Sequence, residues 1–201
     1  MLLINFYKTS SMSNDTNIKM GRAKKMMLWI GMISISMTFA GLTSAFIVSS
    51  KRADWLSDFI IPNDFLISTI FIILSSLFFY LSKNKLKAKK ISFSKIFLLA
   101  TFASAICFVF FQFRGFNSII NQGFYFTGAE SSVTTSYLYV LVLLHLAHLL
   151  AGFISLVVVY YNLSFGKYIG ENRLGFELAH TFWHFLGFLW IYLFLFVKLY
   201  H

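Results

Sequence analysis

The sequence predicts an all-α integral membrane protein, a bundle of five transmembrane helices with the N-terminus inside and the C-terminus outside. Of its 201 residues, 58% are hydrophobic and only 12% are charged, about half the charged share of a soluble domain. Five stretches lack Asp, Glu, Lys and Arg and are long enough, or nearly so, to cross ~30 Å of hydrocarbon. These stretches are residues 26–50, 65–82, 96–113, 131–166 and 178–197. A single proline and 26 phenylalanines also fit packed apolar helices better than loops.

The order of elements along the chain follows from these stretches. Residues 1–23 are polar and rich in Ser and Asn, and we expect a mobile cytoplasmic segment there. Residues 24–201 are expected to form one domain of five helices, without an internal repeat. Spans two and three are joined by a short basic link and should pair antiparallel. Residues 114–135, which contain Gly115, Gly123 and Gly128, are the longest expected connection and should face the outside.

The distribution of positive charge predicts the orientation. The segment before the first span and the links after the second and fourth spans share one side of a five-span bundle, and they hold thirteen of the seventeen Lys and Arg residues. Because translocated loops disfavour Lys and Arg, this side is expected to be cytoplasmic, or the matrix side in an organelle. The excess of basic residues therefore reflects topology and contact with anionic headgroups, and a nucleic-acid partner is not expected.

Polar side chains within the spans form two groups. His145 and His148 lie three residues apart on the fourth span, and Glu177, His180 and His184 form a stripe on the fifth span. Counting ~1.5 Å per residue from the membrane surfaces places His145, His148 and His184 near mid-membrane. If the two helices are neighbours, these groups could form one polar seam from the inner surface to the bilayer centre.

Three interpretations of the histidines remain open. A small bis-histidine haem cytochrome is one, although ligands for two stacked haems should lie two or more turns apart on each helix. A proton-coupled transporter is another, although the chain lacks the Gly/Pro-broken helix pair typical of that class. A structural role is favoured, in which the histidines hydrogen-bond each other and Glu177. Trp183 and Trp190, seven residues apart, are expected to pack, and Cys107, the only cysteine, excludes a thiolate metal site.

These residues together resemble subunit III of the haem–copper oxidases, the cytochrome c oxidase subunit III family. On the fifth span, a glutamate is separated from a histidine by six residues. The histidine is preceded by a tryptophan and followed by a phenylalanine, and a second tryptophan lies six residues after it. The matching residues are Glu177, Trp183, His184, Phe185 and Trp190, with His145-Leu-Ala-His148, Gln112 and residues 37–46 adding to the match. The resemblance covers residues 26–200 and fits the short five-helix bacterial form. The chain departs from the family at Ile35 and Gly187, where carboxylates are common.

The resemblance implies an accessory subunit without a redox centre in a bacterial inner membrane. Haem and copper would lie in partner subunits, and this chain would pack against subunits I and II, bind phospholipid and support proton uptake. The implied polar seam comprises His145, His148, Glu177, His180, Trp183, His184 and Trp190, and the implied lipid cleft comprises Phe39, Gly41, Ala45 and Arg173. The electron donor, cytochrome c or a quinol, and membership of a larger respiratory supercomplex remain open.

Overall fold

The computed structural model describes residues 2–51, 62–123, 133–168 and 173–200. Five α-helices account for nearly all of them: α1 Leu2–Ser49, α2 Asp64–Lys87, α3 Ile91–Asn121, α4 Val133–Ser164 and α5 Leu174–Tyr200. Each helix contains a segment that is long and apolar enough to cross a membrane. The prediction of an all-α protein with five candidate transmembrane helices is therefore confirmed.

Two helices extend into regions where the sequence predicts irregular chain. The helix α1 begins at Leu2, so the segment expected to be mobile is helical, in keeping with the absence of proline before Pro62. The helix α3 continues to Asn121, so Arg114 and Gly115 lie within it and the expected connection from residue 114 is much shorter. Gly115 is buried here because the Phe65 ring of α2 packs against its backbone, 3.0 Å from where a Cβ would stand.

Four helices form a ring and the fifth packs on its outside. Within the described residues, α2 contacts α3, α3 contacts α4, α4 contacts α5, and α5 contacts α2, while α1 contacts only α4 and α5. The link between α2 and α3 has only three residues, 88–90, and turns through Lys89, which has a left-handed φ of 59°. The expected antiparallel pairing of spans two and three is confirmed.

The helix directions place most basic residues at one end of the bundle. Lys25 of α1 pairs with Glu177 near the start of α5 at 3.3 Å, and Phe79 near the end of α2 packs against Phe176 at 5.4 Å. We call this the basic end, because it also carries the lysines of the α2–α3 link. At the opposite end, Ser49 donates a hydrogen bond to Tyr137 Oη at 3.2 Å, joining α1 to the start of α4.

A stripe of buried hydroxyls holds α2 close to α3. Ser68, Ser75 and Ser82, the serine stripe, are seven residues apart and fully buried. Ser82 donates to the Ser94 carbonyl at 2.9 Å, and Ser94 Oγ returns a bond to the Ser82 carbonyl at 3.0 Å. Ser75 Oγ donates to the Thr101 carbonyl at 3.1 Å. Small hydroxyl side chains at heptad spacing allow close approach and satisfy backbone carbonyls between helices.

Candidate functional site

The polar stripe on α5 begins at the basic end and faces α2. Glu177 Oε2 lies 3.3 Å from Lys25 Nζ, and both side chains are about half exposed. One turn further, the Nε2 atoms of His180 and His184 lie 3.0 Å apart, so one N–H donates to the lone pair of the other. The His180 ring packs edge-on against Phe79 with centroids 5.3 Å apart. The expected hydrogen bonding among the histidines is found for this pair.

The histidines of α4 lie in a different environment. His148 Nδ1 donates to the Leu144 carbonyl at 2.8 Å, within its own helix. His145 is fully buried, and neither of its ring nitrogens has a hydrogen-bond partner within the part of the chain that the structure describes. Aromatic rings surround it: the centroid of Trp190 lies 5.3 Å away, and those of Phe39 and Phe108 lie 6.4 Å away.

The structure does not join these two groups into one seam. His148 packs against Phe39 of α1, and the ring of His145 lies among aromatic rings of α1, α3 and α5, whereas His180 packs against Phe79 of α2. They also differ in depth, because His145 lies level with Trp190, six residues beyond His184. That offset corresponds to about 9 Å along α5. Two separate polar pairs therefore replace the continuous path that the sequence suggests.

Trp183 and Trp190 connect α5 to α2 through their indole N–H groups. Trp183 Nε1 donates to Ser75 Oγ at 3.1 Å, and Trp190 Nε1 donates to Thr69 Oγ1 at 3.0 Å. Both rings are buried. The expected packing role is thus accompanied by directed hydrogen bonds, and Ser75 links three helices because it accepts from α5 and donates to α3.

The serine stripe is not among the functional residues predicted from the sequence, although two of its partners, Gln112 and Trp183, are. Gln112 Nε2 donates to Ser68 Oγ at 2.7 Å in the interior of the bundle. The sequence signal for the stripe is its seven-residue spacing. The two tryptophans of α5 are also seven residues apart, and they donate to Ser75 of the stripe and to Thr69, the residue after Ser68.

The four residues proposed for a lipid cleft do not lie together. Phe39 is fully buried against α4, whereas Gly41 is exposed and a Cβ there would meet nothing within 4 Å. Ala45, half-buried, lies one turn beyond Gly41. Arg173 precedes α5 at the basic end, about 20 Å along the bundle from Phe39. Glu177, four residues after Arg173, pairs with Lys25 of α1.

The two departures from the family pattern lie at helix contacts. Gly187 faces α2, where a Cβ would stand 3.1 Å from Ser76 Oγ, so a side chain would require the serine hydroxyl to shift by a few tenths of an ångström. Ile35 is half-buried and packs against the hydrophobic cluster that joins α1 to α4 and α5.

The described residues contain no group of three or more His, Cys, Asp and Glu side chains that could hold a metal ion. The Nε2 atoms of His180 and His184 are hydrogen-bonded to each other, and His145 is surrounded by aromatic rings. This arrangement can stabilise the packing of the helices, and Glu177 forms an ion pair with Lys25 at the basic end.

Comparison with known proteins identifies relatives over nearly the whole chain, although no protein-family model matches. Cytochrome bo(3) ubiquinol oxidase subunit 3 of Buchnera aphidicola subsp. Baizongia pistaciae is 30% identical over 193 residues, covering 92% of this chain and 95% of the relative. The protein of the same name from Buchnera aphidicola subsp. Acyrthosiphon pisum is 29% identical over 194 residues, covering 93% and 92%. A probable cytochrome c oxidase subunit 3 of Rickettsia felis is 40% identical over 58 residues, covering 28% and 21%.

These relatives are bacterial, and the two from Buchnera aphidicola match more than nine-tenths of the chain, which has five candidate membrane helices. The chain is therefore a multi-pass protein of the bacterial inner membrane. The resemblance carried by the fifth-span motif is confirmed by the extended matches, and the chain belongs to the subunit III family of the haem–copper oxidases.

Proposed function

We propose that this chain is the accessory, non-redox subunit III of a proton-pumping terminal oxidase, packed against subunits I and II. The observation that carries the proposal is the similarity to a bo(3) oxidase subunit 3 over 92% of one chain and 95% of the other. Phospholipid binding and support of proton uptake are part of this role. Haem and copper then belong to the partner subunits.

The environment of the histidines supports the absence of a redox centre. A haem ligand must present a ring nitrogen to iron. Here the ring of His145 is enclosed by Trp190, Phe39 and Phe108, while His180 and His184 occupy each other's Nε2. Opening either pair would cost packing or a hydrogen bond. These contacts favour the structural role over the bis-histidine cytochrome.

The orientation follows from the positive-inside rule applied to the folded bundle. The basic end carries Lys25 and the lysines of the α2–α3 link, so we place it, with residues 1–23, in the cytoplasm. Residues 24–201 then form the membrane domain, with the C-terminus outside. Gly41 and Ala45 form the lipid-facing part of the cleft on α1, and Arg173 lies at headgroup level.

The electron donor of the complex is proposed to be a quinol. The relatives that match over nine-tenths of the chain are named ubiquinol oxidase subunits, whereas three that are named for cytochrome c oxidase match only 26–28% of it. Oxygen uptake by native membranes should respond to ubiquinol and stop when the chain's operon is deleted. Uptake that depended on reduced cytochrome c alone would contradict this assignment.

Co-purification tests the assembly. The tagged chain, extracted from its own membranes in mild detergent, should bring down a large haem- and copper-binding subunit, identified by mass spectrometry and a haem absorbance spectrum. Recovery of the chain alone, from an extract in which other respiratory complexes stay whole, would contradict the proposal. A haem absorbance band in the isolated chain would favour the cytochrome, and proton flux through it in liposomes would favour the transporter.

Replacement of Glu177 tests whether the chain supports the oxidase complex without holding a haem itself. Glu177→Ala removes the ion pair at the basic end and should weaken assembly or slow turnover while the haem absorbance of the complex is unchanged. Asp64→Ala is the matched control, since Asp64 pairs with Arg114 at 3.5 Å at the opposite end. Loss of a haem band from an intact Glu177→Ala complex would contradict the non-redox role.

A further inference from the structure

His180 and His184 lie four residues apart on α5, and their rings converge through the Nε2 atoms. These atoms are 3.0 Å apart, whereas the ring centroids are 4.3 Å apart. Residues at this spacing project from the same face of a helix, and two histidines so placed bind zinc in helical metal sites. His180 is not among the residues that carry the resemblance to subunit III, so the family pattern does not account for the pair.

The separation of the two Nε2 atoms matches that of two ligands on one metal ion. Bonds between zinc and imidazole nitrogen are about 2.0–2.1 Å long, so two nitrogens on one ion lie about 2.9 Å apart at a right angle and about 3.4 Å apart at the tetrahedral angle. The observed 3.0 Å falls inside this range. An ion can therefore bind both rings without a change in the backbone of α5.

The hydrogen bond between the rings uses one Nε2 proton. In the neutral pair, one ring donates this proton and the other accepts it through its Nε2 lone pair. An ion bound to both rings needs both lone pairs, so the donating ring must carry its proton on Nδ1 instead. This is a change of tautomer without net loss of a proton, and the ion replaces a single hydrogen bond.

The pair lies at the level of the basic end, near positive charges that act on a bound cation. Phe79 and Tyr80 of α2 pack beside His180, with ring centroids 5.3 and 6.4 Å away. Lys83, about one turn further along α2, is close enough to interact electrostatically with both histidines, and Lys87 interacts with His180. Lysine ammonium groups stay in contact with water or headgroups, so an ion can reach this level, and their charge weakens its binding.

We propose that His180 and His184 form a binding site for one divalent ion of the later first-row transition metals, such as Zn²⁺ or Cu²⁺. Imidazole is a suitable ligand for both ions. Two protein ligands leave the other coordination positions to water, so the ion binds reversibly and is not a resident cofactor. The site is independent of the proposed assembly role, because metal titration tests the site and co-purification of subunits tests the role.

Isothermal titration calorimetry of the full chain in mild detergent measures the binding. The chain carries a purification tag without histidine and the His201→Gln substitution, which removes the histidine at position 201. We expect one Zn²⁺ per chain and tighter binding of Cu²⁺. His180→Gln and His184→Gln should each weaken Zn²⁺ binding by at least about tenfold. His148→Gln is the matched control, because His148 Nδ1 is hydrogen-bonded within α4, and it should leave the affinity unchanged. Equal loss in all three variants, or loss in none, would overturn the proposal.

Two further measurements leave both histidines in place. Pulsed electron paramagnetic resonance of the chain with one equivalent of Cu²⁺ counts the coordinated imidazoles, and two are expected. Lys83→Gln removes a nearby positive charge and should strengthen Zn²⁺ binding, whereas Lys51→Gln, at the opposite end of the bundle, should leave it unchanged. A signal from a single imidazole, or Zn²⁺ binding that is not strengthened by Lys83→Gln, would overturn the proposal.

Discussion

Gly152 of α4 packs closely against side chains of α5, and adding one methyl group there tests this packing directly. A Cβ at this position would stand 2.8 Å from Leu186 Cδ1 and 3.1 and 3.2 Å from two carbons of the Trp183 ring. Leu186 can turn aside at small cost. Trp183 cannot, because its Nε1 is hydrogen-bonded to Ser75 and its ring packs on Phe153.

The magnitude follows from two opposed effects. Overfilling a packed interior typically costs about 1–3 kcal/mol, whereas replacing glycine by alanine within a helix gains up to about 1 kcal/mol. Gly152→Ala should therefore lower the free energy of unfolding, by up to about 3 kcal/mol. Gly31→Ala is the matched control, since Gly31 lies in α1 with nothing within 4 Å of its Cβ position, and it should be neutral or stabilising.

The assay is reversible unfolding of the purified chain in mixed micelles, in which the fraction of SDS is raised and helix loss is followed by circular dichroism. The Gly152→Ala protein should unfold at a lower SDS fraction than both the unmodified chain and the Gly31→Ala protein. If the two glycine variants unfold at the same SDS fraction, α4 and α5 do not meet at Gly152 and the arrangement of the ring is refuted.

The same assay checks three further predictions. Ser75→Ala leaves the buried Trp183 N–H without an acceptor and should lower the free energy of unfolding by about 1–3 kcal/mol. An unchanged midpoint of SDS unfolding would show that the indole N–H has another acceptor. His145→Phe replaces a ring without hydrogen-bond partners by an apolar one and should be neutral or stabilising, so a clear loss would reveal a partner for the imidazole. Lys25→Gln and Glu177→Gln each break a half-exposed ion pair and should each lower the free energy of unfolding by less than about 1 kcal/mol. A larger coupling energy in a double-mutant cycle would contradict this.

The number and type of helices were predictable because hydrophobicity over a span is a property of the sequence alone. The residues at which the helices begin and end were less predictable. The segment before Lys19 and the residues from Arg114 to Asn121 are polar or charged, yet they stay helical because nothing in them breaks the helix. Gly115 suggested a loop by composition, but it serves close packing against Phe65.

The sequence predicted which polar residues are neighbours on one helix, but it did not predict which residues of different helices meet. Spacing along α4 and α5 correctly placed His180 beside His184, because both belong to one helix. Whether His145 meets them depends on which neighbour each helix faces, and that is decided by the ring of contacts among all five helices. The serine stripe could have been recognised, since its seven-residue period is visible in the sequence.

The placement of α1 outside the ring has a consequence for biosynthesis. This helix is made first, but the helices that it contacts among the described residues, α4 and α5, are made last. At 5–20 residues per second, α1 waits in the bilayer on the order of ten seconds before it can dock. It is suited to that interval, because Ser36, Thr38 and Thr43 donate to carbonyls of their own helix and need no neighbour. The α2–α3 hairpin, by contrast, can close as soon as it is synthesised, so assembly proceeds from the middle of the chain outward.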